Sequence, residues 1–419
     1  MKLKILSFSF VRGGAAKAAK RFSELLPEEC SKEMISVEEY PSIKKQYFHF
    51  IKRLISFFFV FLYQKKMGFK CSANFFSFKP ALNAIENSFC KDEVFHIHWI
   101  NNDMLSVYDL AKIPNFSVVT LHDEWLYCGI EHFFNFSKCF ENSPYCSSTQ
   151  ISRKSFSNYL CYHIWKMKFH AFENRQDLIV TCPSNWLAQR ARNSQVLKNC
   201  DIRVLFNPID VKKFSPLASH VLKQKRSSLS FEGRYLVLFG AVGGTKNKLK
   251  GFAELREALY ILRGNNELKN RIVLGIVGGA RSGISELYGF TVREFGYVSD
   301  ESELAIIYSL AHVTVIPSKV ESFGQMAAES LACETPVVAF DTSGLRDIVI
   351  PGKTGLLAEP FSAVSLAQKI EEIIKMKSSS YIEMCKLARK HVVENFSTHV
   401  VAQQYSAILN EQFFKKQMG

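Results

Sequence analysis

Short apolar, β-branched runs alternate with helical stretches along the whole chain, and this alternation restricts the fold more than any other feature. KILSFSF at 4–10 precedes an Ala-rich stretch at 15–26, and VFHIHWI, FSVVTLH, DLIVTCPS with NWLAQRARNS, and DIRVLFNP follow. Strands alternating with helices predict parallel sheets covered on both faces, so the first half reads as a Rossmann-like unit. The pattern breaks at NPIDVKKFSP, residues 207–216, which reads as an interdomain linker. A second series runs through YLVLFGA, a helix near 250–263, RIVLGIVGG, a helix near 299–311, VTVIPS, a helix from about 323, and PVVAFD. The 419 residues exceed the ~250–300 at which one core stops growing, so two α/β domains of similar size are expected.

Two acids stand out in SKVESFGQMAAESLACETPVVAFD, residues 318–341. Pro317 ends the strand VTVI, and the helix that follows opens near Phe323, Gly324 and Gln325. Glu321 therefore lies at the carboxyl end of a strand, where open α/β sheets bind ligands. Gly324 admits close backbone approach, and the free N–H groups of the helix start form an anion site suited to a diphosphate. Glu321 at the helix mouth suits the hydroxyls of a sugar, and Glu329, two turns inside, those of a ribose. An arbitrary pair of helix glutamates is usually just solvated. The strand-end context and the Phe-Gly step favour a site here.

The Glu-x7-Glu pattern ESFGQMAAE with PVVAFDTSGLRDIVIPGKTGLL resembles the nucleotide-sugar signature of family 4 retaining glycosyltransferases (glycosyl transferases group 1), including bacterial surface-polysaccharide enzymes. RGGAAKAAKRF, TLHD, CPSNWL, FNPIDVKKFSP, KGF and FGYVSDESELAIIYSLAHVTVIPS extend the likeness through both halves. The resemblance implies a GT-B type fold, with two Rossmann-like domains facing across a cleft. They comprise an acceptor-side domain at 1–208 and a donor domain at 209–397, with 398–419 crossing back to the first. It implies that Glu329 binds the donor ribose, Glu321 contacts the transferred sugar and Lys250 neutralises the diphosphate, with Phe323, Gly324 and Gln325 at the donor. No metal or other cofactor is implied, so Lys250 and the helix N-terminus carry the leaving-group charge.

Gly13 and Gly14, between the first strand and an Ala-rich helix, are expected to bring backbone N–H groups near the donor phosphate. The family places a histidine beside the transferring sugar at His122, which ends VVTLH. His96 reads as structural and His98 as a weaker cleft candidate. Asp123 and Glu124 are both candidates for contacting the acceptor or activating its hydroxyl, and spacing does not choose between them. Three departures stand out. Ala241 occupies the place of an expected arginine, with Lys246 or Lys248 as substitutes. Glu334 replaces a helix-ending glycine, and Ser343 stands where a Gly-Gly pair is common. Held at φ > 0, Glu334 costs about 1 kcal/mol or more.

The composition narrows the remaining possibilities. Eleven cysteines without framework spacing read as reduced thiols in the cytosol, and Cys128, Cys139 and Cys146 match no usual zinc pattern. The short apolar N-terminus reads as a first strand, not a signal peptide, and LISFFFVFLY at 54–63 is too short to span a bilayer.

The formal charge of +14 is uneven, since no acid occurs from Tyr40 to Ile85. Lys44, Lys45, Lys52, Arg53, Lys65, Lys66, Lys70 and Lys79 interleave there with aromatics that include Phe57, Phe58, Phe59 and Phe61. Anionic membrane surface and nucleic acid are the natural attractors. Without an RNP-like or helix-turn-helix pattern, a non-catalytic nucleic-acid-binding protein is the weaker alternative. Within enzymes, the alternatives are a nucleotide-sugar epimerase or a phosphorylase of the same architecture. The favoured expectation is a cytoplasmic enzyme held peripherally on the cytosolic face of the membrane. There it would transfer a sugar from a nucleoside-diphosphate sugar to a glycan or lipid-linked acceptor, as in lipopolysaccharide or other surface polysaccharide synthesis.

Overall fold

The structure is a computed structural model that describes residues 1–26, 30–64, 70–88, 90–133, 156–240, 247–279 and 282–418. The chain divides into two compact units, Met1–Phe206 with Ala402–Gly419, and Asn207–Val401. The first boundary lies at 206 where 208 was expected, and the return at 402 where 398 was expected.

The first unit carries strands β1 (Lys2–Leu6), β2 (Ser31–Ile35), β3 (Glu93–Ile97), β4 (Val118–Thr120), β5 (Ile179–Cys182) and β6 (Asp201–Val204). All are parallel, in the order β2-β1-β3-β4-β5-β6. Its helices are α1 (Gly14–Glu24), α2 (Ile43–Gln64), α3 (Lys79–Glu86), α4 (Phe156–Phe172) and α5 (Asn185–Arg192). Strand order reverses between β1 and β3, so ligand-binding loops belong at the carboxyl ends of these strands and of β4. The core is built on Phe78, Phe95, Trp125 and Phe172, each at most 1% exposed. The CPSNWL stretch folds as a capped helix start, with Ser184 Oγ accepting from the Leu187 amide at 3.1 Å.

The second unit carries α6 (Ser219–Ser228), β7 (Tyr235–Gly240), α7 (Phe252–Leu262), α8 (Asn266–Arg271), β8 (Ile272–Val277), β9 (Ser282–Leu287) and β10 (Phe290–Gly296). It continues through α9 (Glu301–Leu310), β11 (Val313–Ile316), α10 (Gln325–Ala332), β12 (Val337–Phe340), α11 (Leu345–Ile348), β13 (Gly355–Ala358), α12 (Ala363–Ile374) and α13 (Ser378–Asn395). The sheet order is β13-β12-β11-β7-β8-β10-β9, parallel except that β9 runs antiparallel to β10 at one edge. Here the order reverses beside β7, which puts the loop after β11 at the ligand-binding position.

The last helix, α14 (Thr398–Met418), starts in the second unit and runs into the first. There Tyr405 is fully buried, packs on Phe22 at 5.1 Å and meets His96 Nδ1 through its hydroxyl at 2.6 Å. Gln412 donates to the Ser117 and Asp177 carbonyls, and Glu411 pairs with Arg203. His96, whose Nε2 meets Thr120 Oγ1 at 2.7 Å, is thus the structural histidine that the sequence suggested.

Candidate functional site

The second unit gathers its site at the loop joining β11 to α10. Lys250 Nζ and Glu321 Oε1 lie 2.6 Å apart, both partly exposed. Lys250 ends a 3-10 turn over Lys248–Lys250, and Gly251 redirects the chain into α7 at φ 70°. A Cβ at Gly251 would stand 1.7 Å from the Pro317 carbonyl oxygen, so only glycine lets this turn pack on the β11 loop. The Lys319 amide donates to the Leu249 carbonyl, while Lys319 Nζ pairs with Glu254 at 2.7 Å. Two Lys–Glu pairs therefore brace the turn against the loop, and sequence reasoning missed the second.

Glu321 is fixed through its backbone as well. Its amide donates to Ser343 Oγ at 2.9 Å and its carbonyl accepts from the Gly344 amide at 2.9 Å. Ser343 adopts φ 50°, so the residue standing in place of a glycine takes the left-handed conformation and adds a hydroxyl to the loop. Gly324 caps α10 at φ 105°. A Cβ there would meet Leu345 at 2.9 Å. Glu334 sits at φ 60°, in the strained conformation anticipated for it.

Three donor-side residues are less open than a helix mouth suggests. Glu329 is no open helix carboxylate. It is 3% exposed, and it accepts from the Tyr308 hydroxyl at 3.1 Å and the Gln325 amide at 3.1 Å, so it supports packing as well. Phe323 turns inward, 3% exposed and edge-on to Phe396 at 5.6 Å, because an aromatic ring is more stable in the core than at a polar helix mouth. Gln325 bonds within its own helix, and its buried Oε1 has no partner among the described residues. Ala241 and Lys246 lie outside the described residues, and Lys248 is exposed.

The first unit has a polar cluster at the ends of β3 and β4. His98 Nδ1 and His122 Nε2 are 3.0 Å apart. Burial pushes His122 down to about 4, and burial with His96 and His122 nearby pushes His98 well below its usual range, so both are neutral at pH 7. Asp123 accepts from Trp99 Nε1 at 2.9 Å and His132 Nδ1 at 2.5 Å on one oxygen, and from the Trp125 amide at 3.0 Å on the other. Burial alone would raise its carboxyl, but His132 and these hydrogen bonds hold it at about 2. His132, which sequence reasoning missed, continues to Ser72 Oγ at 2.8 Å. No periodicity or motif marks it.

Glu124 is corrected outright as an acceptor-side candidate. Fully buried, it is ion-paired with Arg190 and accepts from the Tyr127 hydroxyl at 3.0 Å, so its carboxylate is committed to holding α5. Gly13 caps α1 at φ 95°, and open space surrounds the places where side chains would grow from Gly13 and Gly14. Among the described residues, no contact requires glycine at 14. Cys128 is buried, and Cys139 and Cys146 lie outside the described residues.

The helix α2 inverts the usual amphipathic pattern. Gln46, His49, Arg53, Ser56 and Val60, spaced three and four apart, face inward. Ser56 donates to Asp103 at 2.8 Å, and Gln46 donates to the Tyr40 carbonyl at 2.6 Å. Outward lie Ile43 (79% exposed), Phe48 (65%), Phe58 (58%) and Phe61 (58%), with Phe57 less exposed. Lys44, Lys45 and Lys52 are exposed as well. Arg53 is the exception among the expected surface cations. Its guanidinium stacks on Phe8 at 4.7 Å and on Phe57 at 5.0 Å, drawn inward toward Asp103. Lys65 and Lys66 lie outside the described residues. No helix among the described residues is long and apolar enough to cross a membrane.

Residues 222–391 match the family described as Glycosyl transferases group 1. The D-inositol 3-phosphate glycosyltransferase of Nocardiopsis dassonvillei is 30% identical over 209 residues, 45% of each chain. The capsular polysaccharide biosynthesis glycosyltransferase CapM of Staphylococcus aureus is 27% identical over 242 residues, 56% of this chain and 62% of that protein. The match thus spans less than half of the first relative's length. Among solved structures, Anabaena Alr3699/HepE in complex with UDP-glucose superposes with a TM-score of 0.63 at 15% identity, covering 98% of this chain and 100% of that one. The fold is therefore the two-domain GT-B type. Residues 222–391, less than half of the chain, are thus similar to the Glycosyl transferases group 1 family.

Proposed function

We propose that the protein is a retaining glycosyltransferase, moving a hexose from a nucleoside-diphosphate sugar to a glycan or lipid-linked acceptor in surface polysaccharide synthesis. The observation that carries this reading is the Lys250–Glu321 pair at the mouth of α10, within the matched family segment. A leaving diphosphate gains charge as the glycosidic bond breaks. Lys250 and the free amides after Gly324 meet that charge. Glu321, held by Ser343 and Gly344, is left to orient the sugar hydroxyls, and Glu329 with Gln325 to meet the ribose. Among the first unit's pocket groups, His122 and Asp123 are expected to contact the acceptor. Asp123, ionised down to about 2, is a weak base. The acceptor proton is then best taken by the leaving phosphate on the same face of the sugar, which gives retention without a covalent intermediate. Activity is expected to survive chelation of divalent metals.

The outward face of α2 supports peripheral attachment at the cytosolic face of an anionic membrane, where a lipid-linked acceptor is presented. The test of the catalytic reading is a panel of nucleoside-diphosphate sugars screened for thermal stabilisation and nucleotide release, since a ligand bound only to the folded state raises the melting point. UDP-glucose is the first member to try, given the UDP-glucose complex of the structural neighbour. A panel in which no member stabilises the protein would overturn the proposal.

A further inference from the structure

We propose that His132, anchored by Ser72, is a positioning residue that holds Asp123 as a pre-oriented carboxylate for one hydroxyl of a polyhydroxy ligand. This deepens the reading of the first unit's pocket as the acceptor side and rests on it. The argument begins with how the hydrogen bonds divide. Asp123 Oδ2 is occupied by Trp99 and His132, whereas Oδ1 receives only the Trp125 amide among the described residues and keeps capacity for another donor. A carboxylate accepts only, so the His132 ring must donate from Nδ1. Its Nε2 then accepts from the Ser72 hydroxyl, which fixes the tautomer. The Ser72 carbonyl accepts from Trp125 Nε1 at 2.8 Å, so the anchor is itself held in place.

The pocket beside Asp123 is lined also by His98, Asn101 and His122, and its cavity of about 20 Å³ admits one hydroxyl or water. His98 Nε2 and Asn101 Oδ1 are buried there without partners among the described residues. A hydroxyl both donates and accepts, so it suits Asp123 together with these orphaned atoms, where a carboxylate or phosphate would be repelled. The charged groups around Asp123 are Lys70, 4.1 Å from the Trp99 ring centroid, and Lys168, buried beneath the loop and donating to the Cys128 and Gly129 carbonyls. Neither donates a hydrogen bond to the carboxylate among the described residues, so its orientation falls to Trp99, Trp125 and His132.

The indole N–H signals of the four tryptophans provide a direct readout, because Trp99 donates to Asp123 and its signal can be assigned with Trp99→Phe. In the wild type the Trp99 signal should stay constant between pH 8 and pH 4. In His132→Ala it should titrate as Asp123 moves up toward the ordinary carboxylate value of about 4. In His132→Asn, whose amide replaces the Nδ1 donor, it should stay flat. Ser72→Ala, which keeps the imidazole, gives a smaller shift and serves if His132→Ala does not fold. D-Glucose, as the hydroxyl-rich probe, should shift the wild-type Trp99 signal saturably, bind roughly tenfold more weakly to His132→Ala and recover in His132→Asn. A Trp99 titration that ignores His132, or a glucose response unchanged in Asp123→Ala, overturns the proposal. UDP-glucose calorimetry run in parallel separates the two readings. Loss of donor binding in every form would retire glycosyl transfer and leave the Asp123 titration standing.

Discussion

Replacing Phe58 and Phe61 on α2 with serine tests whether the outward face of that helix meets a membrane. Each ring is 58% exposed. A phenylalanine buries about 150–250 Å² in full, so each leaves roughly 100 Å² in water. At about 25 cal/mol per Å², moving that area into the acyl boundary contributes ~2–3 kcal/mol per ring. The double variant should therefore bind vesicles at least about 100-fold more weakly. Lys44, Lys45 and Lys52 together contribute about 3 kcal/mol near an anionic surface, a share that salt removes. The apolar share outweighs it once Ile43 and Phe48 are included, so high salt should weaken attachment without abolishing it. Arg53 is omitted because it faces inward. The assay is co-sedimentation with phosphatidylglycerol vesicles at low and high salt, beside melting curves. Because both rings already face water, the double variant should melt within a few degrees of the wild type. Wild-type vesicle binding by the double variant, or a collapse of its melting point, would refute the reasoning.

Glu329→Ala should lower donor affinity and also stability, since the Tyr308 hydroxyl, 1% exposed as a residue, loses its acceptor; a loss of about 1–3 kcal/mol is expected in denaturant unfolding. Glu334→Gly should raise stability by roughly 0.5–1 kcal/mol by relieving φ 60°, read from the same curves. Gly14→Ala should leave melting unchanged and weaken donor binding in calorimetry if residues 13 and 14 meet the phosphates. Burial pushes Asp103 up to about 6 against its bonds to Ser56 and Phe76 and the nearby Arg53 charge. A carboxyl raised on folding favours the folded state below its unfolded value near 4 and loses that contribution as pH rises through about 6. Unfolding between pH 4.5 and 7.5 should show this fall, and Asp103→Asn should flatten it.

The parallel sheets were legible because strand–helix alternation is a one-dimensional signal, and Pro317, Gly324 and Glu321 lay where the chain must turn from β11 into α10. What stayed hidden were directions that partners distant in sequence decide. Tyr308 turns Glu329 inward, Arg190 claims Glu124, and Asp103 draws Arg53 off the surface. The basic, aromatic character of α2 was visible in composition. Its reversal, with polar residues inward, depends on Asp103 and the Tyr40 carbonyl being ready to receive them. His132 lacked any signal because its role exists only once its loop has brought it to Asp123.

The return of α14 makes the second unit an insertion within the first, which has consequences for synthesis. Tyr405, Glu411 and Gln412 contribute contacts to His96, Arg203 and Ser117. At about 5–20 residues per second, the ribosome delivers them some 10–40 s after the first sheet has emerged. During that interval His96, Ser117 and Arg203 await these partners, while the second unit, complete by Val401, is free to fold. A stop codon before Tyr405 should therefore damage the first unit and spare the second.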